Sequence, residues 1–147
     1  MNEKAREMSA GALRGVVGAL AMTGLRQFAA ELGLLEKTPP EELADKLDGL
    51  NFDLPEEKGR AAVLALHCAV GAAGGVGFGM LPDSIRRQGW GGPAWGLVIW
   101  LTYELAVEPL LGLGPVERDK ATEHAVIVAD HLLYGYVISE TRGQPRN

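Results

Sequence analysis

The chain has 147 residues, 47% of them hydrophobic, with 14 Lys and Arg against 19 Asp and Glu for a net charge of −5. That length suits one domain, and the acidic balance argues against a dedicated nucleic-acid binder, which needs a basic face. A single cysteine, Cys68, excludes an internal disulfide framework and a paired-cysteine zinc site, and the twenty glycines are about twice the ordinary share.

The distribution of charge, rather than its total, carries the class of the protein. Near the start, Gly15 to Leu25 is uncharged and bracketed by Arg14 and Arg26. Such a run covers only about 16 Å at ~1.5 Å per residue, but arginine stems snorkel from helix ends, so a span over about 11–30 is expected. Lys4 and Arg6 ahead of it also fit a secretory signal peptide, against which stand Arg14, Arg26 and the lack of a small-x-small cleavage site. The segment 31–60 is rich in Glu, Asp and Lys and reads as a polar loop. Within it Thr38-Pro39-Pro40-Glu41 forms a capping box, and Leu43, Leu47 and Leu50 share one face. A short amphipathic helix is expected there, lying on the membrane surface or packed on the helices.

Ala61 to Leu81 runs without Asp, Glu, Lys or Arg, the length that crosses a hydrocarbon core of ~30 Å. It is apolar all round, so a soluble fold would have to bury it on every side, and a chain of this size has little protein to do so. Pro82 to Gly92, with Arg86 and Arg87, reads as a turn. A third span is expected over about 93–113, carrying Trp95 and Trp100 and interrupted by Glu104 and Glu108. Gly114 to Lys120 is a second turn, and a fourth span covers about 121–140. These elements predict an all-α, integral membrane four-helix bundle forming a single transmembrane domain over residues 1–147. Lys4, Arg6, Arg14, Arg86, Arg87, Arg142 and Arg146 fall on one side and Lys37, Lys46, Lys58, Arg60, Arg118 and Lys120 on the other. That balance places both termini on the cytoplasmic side of a bacterial inner membrane.

Gly71, Gly75 and Gly79 make two consecutive GxxxG units, and Gly92 and Gly96 repeat the spacing. Where lipid supplies no hydrophobic drive for association, such faces let helix backbones approach closely. Gly11, Gly15, Ala19 and Thr23 offer a matching stripe on the first span. The use expected is packing within one bundle, or a homodimer through the glycine face.

Ionisable groups inside spans cost free energy and mark functional hypotheses. Arg26, His67, Glu104, Glu108, Asp130 and His131 fall at depths of roughly 8 to 14 Å from one face when counted at ~1.5 Å per residue, which places a polar layer in one half of the membrane. The first reading is a satisfied network in which Arg26 neutralises Glu104 or Glu108 and Asp130 pairs with His131. The second is proton or ion handling, as a conductor or transport accessory, through Glu104, Asp130 and His131. The third is a divalent metal or haem held by His67, Glu104 and His131, although no cofactor is the primary expectation. His124, near a helix end, fits the headgroup region. No GxGxxG, Walker loop, HExxH or nucleophile elbow occurs, so the sequence supports no enzyme.

The pattern from His67 through Gly71, Gly75 and Gly79, then Gly92-x-x-x-Gly96, Trp100, Glu104 and Pro109-x-x-Gly112, resembles small bacterial inner-membrane proteins of the YagU-like kind. Glu123, His131-x-x-Tyr134-Gly135 and the Arg142 tail extend the resemblance over most of 11–142. Asp130 stands where the resemblance implies glycine, and Tyr134 where it implies tryptophan. It implies a multi-pass inner-membrane protein of unknown biochemical activity, associated with acid-stress survival and with the lipid bilayer as its partner.

Overall fold

The computed structural model describes residues 3–35, 56–110 and 121–139, and among these the chain is entirely helical. The expected surface helix around Leu43, Leu47 and Leu50, the second turn at 114–120 and the basic tail lie outside the described residues. The elements are α1 (Glu3–Glu31), α2 (Glu56–Met80), a short α3 (Asp83–Arg86), α4 (Gly91–Thr102), a π-helical turn (Tyr103–Val107), α5 (Glu108–Leu110) and α6 (Ala121–Ile138). Within the described residues, the spans expected over 11–30, 61–81, 93–113 and 121–140 coincide with helix up to Glu31, Met80, Leu110 and Ile138 respectively. The main difference is at the start, where α1 begins at Glu3 and takes in the charged residues that a span count leaves out.

Helix ends follow from local chemistry. Gly33 adopts φ +70°, a conformation that costs glycine nothing. The Leu34 amide then bonds the Ala29 carbonyl at 2.9 Å and the Gly33 amide bonds the Ala30 carbonyl at 2.9 Å, the paired closure of a Schellman cap. α2 stops ahead of Pro82, whose carbonyl accepts from the Ile85 and Arg86 amides to start α3. At Gly91 the chain doubles back so tightly that a Cβ would lie 2.2 Å from the Ile85 carbonyl oxygen. The π turn has its cause in Pro109. Proline has no N–H for the Leu105 carbonyl and its ring crowds that oxygen, and widening the preceding turn relieves the clash while keeping the helix going.

The long helices alternate in direction. Gly11 lies on Gly75 and Gly15 on Gly71, so α1 and α2 run antiparallel. Gly18 meets Tyr134 and Arg26 meets Asp130, which makes α6 antiparallel to α1. Gly92 lies on Gly135 and Gly96 on the His131 backbone, which sets α4 antiparallel to α6. The glycine stripes are therefore used within the chain. A Cβ at Gly15 would sit 2.1 Å from the Gly71 oxygen, and one at Gly96 2.0 Å from the His131 oxygen. Gly71 and Gly75 thus face α1, and Gly92 and Gly96 face α6.

Two apolar clusters result. Met22, Phe78, Tyr134 and Ile138 pack together, with Leu81, Trp95 and Ile99 against them. Ala29, Leu35 and Ile127 form the other, flanked by Trp100 and Val126. Outward, the helices are lined by exposed Leu13, Val17, Leu20 and Phe28 on α1 and by Leu64, Leu66 and Val70 on α2. Among the described residues, α1 and α2 are the two helices long and apolar enough to cross a membrane.

Candidate functional site

Between the two apolar clusters lies a polar one. On α1, Arg26 stands one turn from Met22 and nearly one turn from Ala29. On α6, Asp130 sits between Ile127 and Tyr134. Antiparallel packing brings Arg26 and Asp130 face to face, and the Arg26 Nε–H donates to Asp130 Oδ2. The Asp130 side chain is 0% exposed and that of Arg26 6%, so each ion is held away from solvent by the other's element. A buried charge of either sign, left alone, would be costly, which makes the pair obligatory rather than merely favourable.

Two imidazoles surround this pair. His131 Nδ1 lies 2.8 Å from the Ile127 carbonyl, its hydrogen-bond acceptor one turn back along α6, and 2.7 Å from Asp130 Oδ1. The direction of the Nδ1–H favours the carbonyl, so Asp130 Oδ1 is buried without a hydrogen-bond donor. On α2, His67 Nδ1 is 3.2 Å from Thr23 Oγ1. Thr23 donates its one hydroxyl hydrogen to the Ala19 carbonyl at 3.0 Å, so the neutral His67 must be the donor to Thr23 and its Nε2 keeps a lone pair. His67 is within electrostatic reach of Arg26, Asp130 and His131.

Of the expected polar layer, the structure thus brings together Arg26, Asp130, His131 and His67. It does not bring Glu104 to Arg26, because the carboxylate that Arg26 meets is Asp130. Gly96 is the residue of α4 that lies on the His131 backbone, and Glu104 is eight residues, about 12 Å of helix rise, further along. There, inside the π turn, it accepts from Trp100 Nε1 at 3.2 Å. The depth count failed for this residue because it took the ends of α4–α5 and α6 to be level, whereas the Gly92–Gly135 and Gly96–His131 contacts shift one helix along the other. Glu108 opens α5, and its side chain is outside the described residues. Among the described residues, no group of three or more His, Cys, Asp and Glu could hold a metal ion.

Two further arrangements carry no strong signal in the sequence. Tyr134 fills a slot between three glycines: a Cβ at Gly18 or at Gly74 would lie 2.6 Å from its ring or hydroxyl, and its O–H donates to the Gly71 carbonyl at 2.6 Å. The GxxxG units of Gly71, Gly75 and Gly79 marked a face of small residues, but not that an aromatic side chain from the last helix fills the gap beside it. The second is a staple at the other end of the molecule. Arg86, 2% exposed, bonds Glu7 Oε1 at 2.8 Å and also Asp83, tying the start of α1 to the turn after α2. Arg87 pairs with Asp83 at 2.8 Å. Hydrogen bonding from Arg86 holds the exposed Asp83 carboxyl below the ordinary carboxylate range.

Comparisons with protein-family models, with curated proteins and with solved structures find no match to this chain. The class is therefore set by the structure alone: among the described residues the protein is all-helical, with two helices long and apolar enough to cross a membrane.

Proposed function

We propose that the chain is a multi-pass protein of a bacterial cytoplasmic membrane, a four-span bundle in which the Arg26–Asp130–His131 cluster is a structural network that fixes how the helices dock. The observation that carries this reading is the sparse burial of the apolar helices. Only 28% of the most apolar stretch of α1 and 22% of that of α2 is buried inside the molecule. A core helix of a soluble protein is mostly buried, and large exposed apolar surfaces mark sites of contact with a membrane or a partner, which supports the reading. Lipid is the partner whose chemistry fits, because it covers Leu13, Val17, Leu20, Leu64, Leu66 and Val70 without needing a shaped interface.

Three further features support the reading. Arg26 and Asp130, charged side chains within long apolar helices, face inward and pair, as membrane-embedded ions do. Trp90 is exposed beside Arg87 in the turn between α3 and α4, where an amphipathic ring suits an interface. The Glu7–Arg86 pair places Lys4 and Arg6 at the same end as Arg86 and Arg87, and the excess of Lys and Arg there favours that end as the cytoplasmic one. The role we assign is that of a non-catalytic membrane component, stress-related as the YagU-like resemblance implies.

Carbonate extraction of membranes from expressing cells tests the location. The protein is expected in the washed pellet, and its release into the supernatant would overturn the reading. In a Cys68→Ala background, Ser84→Cys and Lys58→Cys mark opposite ends of the helices. A membrane-impermeant thiol reagent added to intact spheroplasts is expected to reach Lys58→Cys and to spare Ser84→Cys until the membrane is opened.

A further inference from the structure

We propose that the buried cluster is a hydration site, in which one water molecule donates a hydrogen bond to Asp130 Oδ1 and another to His67 Nε2. The proposal goes beyond membrane location and does not depend on it. A carboxylate oxygen at 0% exposure with no donor is an uncommon defect in a folded protein, because an unmade hydrogen bond to an ion carries the full desolvation penalty. Its neighbours do not remove it. The Arg26 Nε–H is committed to Oδ2, and the His131 Nδ1–H is directed to the Ile127 carbonyl although Oδ1 is only 2.7 Å away.

The chemistry of the surroundings selects the ligand. His67 presents a second acceptor, since Thr23 fixes its hydrogen on Nδ1 and leaves Nε2 with a lone pair. Thr23 and Arg26, three residues apart on α1, hold His67 and Asp130 in one cluster, and two acceptors in the same cluster are served by a neutral molecule with two donors, a need that a buried water with two to four polar partners meets. The oxygen of the water can in turn accept from the guanidinium of Arg26, which has N–H donors besides Nε. A metal ion fits less well, because Arg26 already neutralises Asp130, the His131 Nδ1–H is turned to the Ile127 carbonyl, and among the described residues no three His, Cys, Asp or Glu side chains are placed to hold one. His67 is thereby assigned a role as the second anchor of the water.

The test is magnetisation transfer from water to the imidazole N–H protons of 15N-histidine-labelled protein in detergent micelles. With three histidines in the chain, the resonances are assigned by single substitutions. A water cross-peak on the His131 Nδ1–H is expected in the unmodified protein. It should fall at least several-fold in His67→Leu and persist in His124→Leu. Absence of the cross-peak in the unmodified protein overturns the proposal without reference to any variant, and so does a cross-peak that His67→Leu leaves undiminished. Should His67→Leu fail to fold, Thr23→Val, which releases the His67 tautomer, is expected to weaken the same cross-peak, and an unchanged one counts against the proposal.

Discussion

Gly15→Ala is the sharpest test of how α1 and α2 are held. The added Cβ would stand 2.1 Å from the Gly71 carbonyl oxygen, 2.8 Å from its carbon and 3.0 Å from the Ala72 Cα. All three are backbone atoms, so no rotamer change relieves the contact. To restore an ordinary 3.4 Å contact the two helices must part by about 1.3 Å at this point, and since a gap of about 1 Å already forfeits roughly half of the dispersion energy of an atom pair, each pair it opens loses more than that. Overpacking against rigid neighbours costs about 1–3 kcal/mol, and here the upper half of that range applies. Alanine recovers roughly 0.5–1 kcal/mol of helix propensity over glycine, leaving a net loss of about 1–2.5 kcal/mol. Gly24, on the same helix with nothing within 4 Å of its would-be Cβ, is the internal control. Gly24→Ala keeps the propensity gain and should be neutral or slightly stabilising. Reversible unfolding in mixed micelles, followed by circular dichroism, measures both. If Gly15→Ala is as stable as Gly24→Ala, the close backbone approach of α1 and α2 is wrong.

The Arg26–Asp130 pair is expected to behave as a unit: Arg26→Gln or Asp130→Asn alone should cost about 3–5 kcal/mol by leaving one buried charge uncompensated, and the double variant should recover much of that loss. Additive losses in the double-mutant cycle would show that the two side chains do not meet. At the Glu7–Arg86–Asp83 staple the carboxyl of Asp83 is held below its ordinary value of 3.8, chiefly by its hydrogen bond to Arg86. A depressed carboxylate stabilises the fold fully above that ordinary value and loses its contribution as pH falls through the folded-state value. The stability difference between the unmodified protein and Asp83→Asn should therefore be flat from neutral pH down to about pH 5 and shrink only below the ordinary carboxylate range. A difference that is already shrinking above pH 5 would contradict the pairing.

Much of the architecture was legible from local features. A long run without charge, as at Ala61 to Leu81, can be satisfied only by apolar surroundings, and that holds whatever its neighbours are. Glycines spaced by four mark a face along which a backbone can come close, and Gly71, Gly75, Gly92 and Gly96 all make such contacts. Pro82 and Gly33 stop helices through their own backbone chemistry. Arg26, His67, Asp130 and His131 were identifiable because an ionisable group in an apolar run must find a partner.

Which partner it finds is another matter. The expected network gave Arg26 to Glu104 or Glu108 and Asp130 to His131, whereas Arg26 meets Asp130. The choice came from the axial offset of α6 against α1 and α4, set by Gly18 on Tyr134 and by Gly96 on the His131 backbone. The same offset carries Glu104 some two turns away to Trp100. Tyr134 and the Glu7–Arg86 staple depend on rotation about helix axes and on contacts between residues up to 79 positions apart. The sequence by itself determined that these helices are apolar, close-packed and obliged to pair a few charges among themselves. Only the tertiary structure decided the pairs, because register and rotation are collective properties of whole packed helices, which no residue type or spacing encodes locally.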